Sequence, residues 1–189
     1  VLPDNDLFES LRSGDARVVT SEIETFTRDG LRLTSGDELE ADIVVSATGF
    51  NLRAFGDIAV SVDGKPCAPN ERMIYKGVLV EGIPNLAAIF GYINFTWTTK
   101  VDLASAWLCR LFELLDERGA DVAVARDDGK HAVDDSIMKQ LQSGYVRRGG
   151  DALPRQGSDA PWQFTHDYLI DRTMLLDEPV DDAVHQIRA

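Results

Sequence analysis

Basic residues are scarce in this chain and cysteine is nearly absent. Lys and Arg total 19 against 32 Asp and Glu, a net charge of −13. Such a surface repels phosphate backbones, so no nucleic-acid partner is expected. Cys67 and Cys109 lie far apart, outside any Cys-x-x-Cys spacing. They read as free thiols in a reduced, cytoplasmic setting, with neither a disulfide framework nor a metal site. His131, His166 and His185 share no ligand spacing and read as surface residues rather than zinc ligands. No Gly-x-Gly-x-x-Gly and no Walker sequence occurs, and Gly149-Gly150 follows no expected strand, so the chain brings no dinucleotide phosphate cradle of its own. The most apolar stretch, residues 103–115, is broken by Arg110 and Glu113 and is too short to span a membrane. A basic region followed by an apolar one is missing at the start. So is an initiator methionine; Val1-Leu2-Pro3 reads as the opening of a piece whose native chain starts earlier.

What is present suits a globular protein. The 189 residues are 44% hydrophobic and have room for one domain or two small ones. Ile43-Val44-Val45 is a β-branched run that reads as a strand buried on both faces, ending in the small residues Ser46-Ala47-Thr48-Gly49. Before it, Asn5 and Asp6 are expected to cap a short helix stopped by Gly14, and Val18-Val19 to form a short strand. Residues 23–27 and 31–34, joined through Asp29-Gly30, predict a hairpin that continues through Glu38-Leu39-Glu40 as an antiparallel meander. Residues 58–62, 73–80 and 86–90 read as strands, the last of them buried, with Asp63-Gly64 and residues 66–70 as turns.

The longest helix is predicted over residues 100–118. Thr99 and Asp102 match the capping-box spacing, Leu108, Leu111, Phe112 and Leu115 form one apolar face, and Gly119 ends it. Beyond it, residues 122–125 predict a strand, 134–143 a helix and 168–176 a weaker one. The acidic last dozen residues read as loosely held, and Asp181-Asp182 as a solvated face. Ser105 and Cys109 have no base nearby in the pattern, so no catalytic nucleophile is named. The most informative stretch is the aromatic loop 91–98, because it leads into a helix N-terminus. Free backbone N–H groups and the positive end of the helix dipole there attract anions and electron-rich carbonyls. The alternative is that Thr98 and Thr99 cap their own helix while Phe95 and Trp97 pack in the core.

A series of short words, in order, carries a family resemblance. It includes Leu33-Thr34-Ser35-Gly36, Ala41-Asp42-Ile43, Ala47-Thr48-Gly49, Tyr75-Lys76-Gly77 and Gly82-Ile83-Pro84-Asn85. It continues with Gly91-Tyr92, Asn94, Trp97-Thr98, Lys100, Cys109-Arg110-Leu111, Gly144-Tyr145-Val146, Gln156-Gly157-Ser158 and Pro161-Trp162. The series resembles the carboxyl-terminal part of flavin-containing monooxygenases. Within them it is similar to the Baeyer–Villiger group related to the ethionamide-activating monooxygenase of mycobacteria.

The resemblance implies an α/β parent fold with two dinucleotide-binding domains. This chain would be a mixed α+β fragment of it, with a small antiparallel meander, buried strands and one long helix. Residues 1–46 would end the NADPH-binding domain, 47–125 would form the late part of the FAD-binding domain, and 126–189 a carboxyl-terminal extension. Ala47, Thr48 and Gly49 would lie at the junction. Asn94, Thr98, Thr99 and Lys100 would lie near the flavin, and Phe95 and Trp97 would face flavin or substrate. The implied reaction uses FAD and NADPH, captures O₂ as a C4a-peroxyflavin, and inserts oxygen beside a ketone or at a sulfur. The glycine-rich motifs, the family fingerprint and the active-site arginine would precede this chain, so alone it is expected to be inactive and to self-associate through the surface they leave. Plain S- or N-oxygenation is the first alternative; a non-catalytic binding or assembly module that kept the fold is the second.

Overall fold

The computed structural model describes residues 3–131 and 133–187, with Pro3, Asp134 and residues 185–187 described by their backbone. The chain divides into two compact units, Val1–Thr48 and Gly49–Ala189.

In the first unit, helix α1 (Asp6–Ser13) stops at Gly14, which adopts φ +86, the left-handed conformation glycine takes without penalty. The expected side-chain cap is not made: Asn5 is itself left-handed and its side chain accepts no bond from the helix. Strands β1 (Ile23–Phe26), β2 (Gly30–Leu33) and β3 (Glu38–Glu40) form the predicted antiparallel meander in the order β1-β2-β3. Its one tight point is Gly30, where a Cβ would lie 1.9 Å from the Leu39 carbonyl oxygen. Two further expectations fail here. Val18-Val19 is not a strand, and residues 43–45 are exposed coil with Ile43 and Val45 each 82% accessible. A strand buried on both faces needs flanking strands and two covering layers. Among the described residues none pairs with 43–45.

The second unit begins with two hairpins. Strands β4 (Val60–Val62) and β5 (Lys65–Cys67) turn at Asp63-Gly64; β6 (Ile74–Tyr75) and β7 (Leu79–Val80) turn at Lys76-Gly77. Residues 66 and 67, expected to open a turn over 66–70, instead pair with β4 in the three-residue strand β5. The single run expected over 73–80 folds back on itself, because Lys76 and Gly77 both take positive φ. Residues 86–90 are not a continuous strand; Ala87 makes one bridge to Leu79, and Leu86 and Ala88 bond to Val80 and Val78.

Helix α2 (Trp97–Arg118) is the spine of this unit and ends at left-handed Gly119. It begins three residues earlier than expected. Thr96, not Thr99, is the cap residue, so the Thr99–Asp102 capping box does not form. Its buried face is Lys100, Leu103, Ala104, Trp107, Leu111 and Leu115. Leu108 is only half-buried and Phe112 is exposed, a rotation of the expected stripe toward Trp107. Trp107 meets Tyr75 edge-on at 6.0 Å between ring centroids, and Tyr75 meets Trp162 at 5.3 Å. These three rings centre the core.

Strand β8 (Val122–Ala125) forms as predicted. The helix expected over 134–143 is instead strand β9 (Val133–Ser136) followed by a turn. It pairs with strand β10 (Arg155–Gly157), and the Ile137 amide donates to the Pro154 carbonyl at 3.1 Å. Tertiary pairing has overridden a weak local helical pattern. Short helices α3 (Gly144–Gly149) and α4 (Tyr168–Arg172) follow, and α4 runs on through a wider turn, Thr173–Asp177. The tail is not loosely held: strand β11 (Val184–Ile187) pairs antiparallel with β8 along all four residues. Nor are Asp181 and Asp182 a solvated face. Asp181 pairs with Arg118 at 2.7 Å, and Asp182 lies 3.3 Å from the buried Lys76 ammonium and accepts from the Tyr75 hydroxyl.

Candidate functional site

The site is built on the junction between the aromatic loop and α2. Trp97, Thr98 and Thr99 are the first three residues of a 22-residue helix, so their backbone N–H groups have no partner within it. The Thr96 side chain does not cap them, and its hydroxyl bonds instead to that of Thr99. The Thr98 hydroxyl also turns back to Thr96, at 3.4 Å. No acidic residue stands in the first turn to offset the helix dipole. Asn94, Phe95, Trp97 and Thr98 are exposed, Thr99 is half-buried, and Lys100 is buried. Thus the threonines do not cap the helix, and Phe95 and Trp97 are not core. The indole of Trp97 lies flat against Gly91, where a Cβ would come 2.2 Å from the ring.

Lys100 differs from its neighbours. Its ammonium points inward and forms an ion pair of 2.7 Å with Asp171 on α4, the two side chains being 1% and 0% exposed. Thr165 donates to the other carboxylate oxygen at 2.7 Å. Two rings flank the ammonium, Phe164 at 5.3 Å and Tyr92 at 5.6 Å from their centroids. The Tyr92 hydroxyl is buried without a hydrogen-bond partner. Burial, with the adjacent Asp171 carboxylate, pushes its pKa up, so it stays protonated. Burial pulls the Lys100 ammonium below the ordinary lysine value, and Asp171 opposes that shift. Burial likewise lowers His166, whose Nε2 donates to the Ile137 carbonyl at 3.2 Å while Nδ1 is buried without a partner. His166 is therefore half-buried, and His131 is bound to Asp127, so neither is the free surface histidine expected. The His185 side chain lies outside the described residues. Cys67 and Cys109 are free thiols.

An apolar cavity of about 480 Å³ lies beside Trp97, walled by Leu52, Phe55, Phe90, Ile93, Met138, Leu141 and Tyr145 among others. A second, of about 420 Å³, runs along the far half of α2 past Leu108, Leu111 and Phe112. Trp97, at the helix N-terminus, lines the first; no candidate residue lines the second.

The remaining candidates, Ala47, Thr48 and Gly49, are exposed coil at the division between the units, with Gly49 at φ +89. Asp171, Tyr92, Phe164 and Thr165 were not expected from sequence. Asp171 lies 71 positions from its partner, in a stretch with no motif of its own. Among the described residues no His, Cys, Asp and Glu cluster could hold a metal ion, and no helix is long and apolar enough to cross a membrane.

Three similar proteins put these features in context. The chain is 47% identical over 184 residues to AlmA of an Acinetobacter species, named as a probable FAD-binding monooxygenase. It is 49% identical over 183 residues to MymA and 42% identical over 182 residues to EthA, both of Mycobacterium tuberculosis and both named as FAD-containing monooxygenases. The matches cover 97%, 97% and 96% of the chain, which spans 37% of the length of each relative. No family model and no solved structure matches the chain.

Proposed function

Because this chain is homologous over nearly its whole length to a 37% portion of FAD-containing monooxygenases, we propose that it forms the flavin-ring side of such an enzyme. Residues 1–46 end an NADPH-binding domain, 47–125 complete the FAD-binding domain of an α/β parent fold, and 126–189 form an extension. Ala47, Thr48 and Gly49 link the first two.

The observation that carries the reading is the uncapped start of α2. The free amides of Trp97, Thr98 and Thr99 suit the carbonyl edge of an isoalloxazine ring. They hold it in place and stabilise the negative charge that gathers there on reduction. Asn94 offers a side-chain donor beside them. Phe95 and Trp97 cover the ring or the substrate and exclude water. Lys100 serves the same edge through the turn it fixes, since its ammonium faces Asp171. The fit extends to the ring alone: no glycine-rich stretch in the chain cradles a dinucleotide phosphate. When bound, FAD supplies oxygen transfer from O₂ to a ketone or a sulfur, with NADPH as reductant.

The exposed apolar residues favour this reading over that of a self-contained binding module. Such a module should have covered Ile43 and Val45, which are 82% accessible, and Phe95 and Trp97, each at 57%.

The test is a chimera in which this chain replaces the matching portion of AlmA. The isolated chain should be colourless. The chimera should be yellow, hold one flavin per chain, and oxidise NADPH in the presence of a ketone or sulfide. A folded chimera that holds no flavin refutes the proposal.

A further inference from the structure

Asp171 stands in a segment with no recognisable motif, yet it is the hub of the polar cluster beneath α2. Both carboxylate oxygens are engaged, one by the Lys100 ammonium and the other by the Thr165 hydroxyl, each at 2.7 Å. Lys100 is closely enclosed. The rings of Phe164 and Tyr92 flank its ammonium, and Gly77 closes on it so tightly that a Cβ there would come within 3.0 Å.

Net stability does not account for the arrangement. Taking two charges out of water costs about as much as their attraction returns, and an apolar pair of similar volume often serves as well or better. What a buried pair supplies is direction. Lys100 is the fourth residue of α2, and its amide is the first that can close on the Thr96 carbonyl. Fixing Lys100 therefore fixes the turn that displays the free amides of Trp97, Thr98 and Thr99. The same short helix, α4, reaches the loop before that turn. Tyr168 lies against Phe95 with centroids 6.2 Å apart, and Phe95 in turn meets Tyr92 at 6.3 Å.

We propose that Asp171 is a positioning residue: from α4 it holds the first turn of α2, and with it the loop carrying Phe95, in one register. That the turn is held for a flavin rests on the function proposed above; that it is held does not.

Amide hydrogen exchange on the ¹⁵N-labelled chain tests it. Asp171→Asn keeps the volume and removes the charge. Protection at Lys100, Val101 and Asp102 should fall roughly tenfold or more, while Trp107, Leu111 and Leu115 stay within about twofold of the native chain. An equal fall at both sets, meaning that Asp171 merely holds the fold, overturns the proposal; so does no change. Should Asp171→Asn fail to fold, the double variant Lys100→Met with Asp171→Leu removes both charges together. It should retain native protection in the core and lose it in the first turn, and full protection in both overturns the proposal. In the flavin-loaded chimera, Asp171→Asn should shift the flavin reduction potential to a more negative value. A loosened turn with an unchanged potential leaves the tie standing and retires the flavin reading.

Discussion

Two glycines in similar turns isolate the packing around Lys100. Gly64 ends the turn of the β4–β5 hairpin at φ +74, with nothing within 4 Å of an added Cβ. Gly77 occupies the turn of the β6–β7 hairpin at φ +68, where a Cβ would meet Lys100 Nζ at 3.0 Å, Lys100 Cε at 3.2 Å and Phe164 at 3.3 Å. Gly64→Ala should therefore cost only the left-handed backbone penalty, about 1–2 kcal/mol. Gly77→Ala bears the same penalty and must also displace an ammonium held by Asp171. Overpacking of that kind adds about 1–3 kcal/mol, for a total of about 2–5 kcal/mol. Urea unfolding followed by tryptophan emission measures both. Trp97, Trp107 and Trp162 all lie in the second unit, so the signal reports that unit alone. A loss in Gly77→Ala within about 0.5 kcal/mol of that in Gly64→Ala, the scatter of ordinary surface changes, would mean that Lys100 is not held tightly against this turn.

Other outcomes follow from the same structure. Trp107 is fully buried between α2 and the Tyr75 hairpin, so Trp107→Ala should lower stability by about 3–5 kcal/mol in the same urea assay. Burial holds His166 below the ordinary value of 6.5, so the unfolded chain binds that proton more tightly than the folded one. Its contribution to stability is complete above pH 6.5 and lost as pH falls from there through the folded value. Urea midpoints should accordingly decline below that pH, and His166→Gln should flatten this part of the profile. The Arg32–Glu38 pair bridges β2 and β3 in water, both side chains being about half exposed, so Glu38→Gln should leave the thermal midpoint unchanged. Gly91→Ala should drive the Trp97 ring off its seat, visible as a red-shifted emission that Trp97→Phe abolishes.

Local chemistry was legible in the sequence and long-range pairing was not. Asp29-Gly30 announced the first hairpin as a turn-forming pair, with Gly30 itself at the head of β2 where the Leu39 carbonyl leaves no room for a Cβ, and Gly119 marked the end of α2 because its left-handed φ of +57 suits glycine. The helix itself could be read, yet its start and buried face were displaced. Trp107 and Lys100 take the interior through partners more than thirty positions away, and helical period alone favoured Leu108 and Phe112. Residues 43–45 carry the composition of a buried strand, but burial requires neighbours that composition cannot supply. The Asp134–Ser143 region was misread because β9 is decided by β10, twenty positions on. Of the candidate site, an aromatic loop leading into a helix start could be read from the sequence, but the start lies three residues earlier than expected and the exposure of Phe95 and Trp97 was one of two open readings. The inward turn of Lys100 could not be read, since nothing around Asp171 marks it as a partner.

In the function proposed above, the start of α2 receives the isoalloxazine ring. Titrating flavin mononucleotide into the ¹⁵N-labelled chain tests it most directly, because the ring can be offered without the dinucleotide contacts the chain lacks. Shifts in the spectrum should concentrate on the amides of Trp97, Thr98 and Thr99 and on the Asn94 side chain. Shifts centred elsewhere, or none at millimolar flavin, would contradict it.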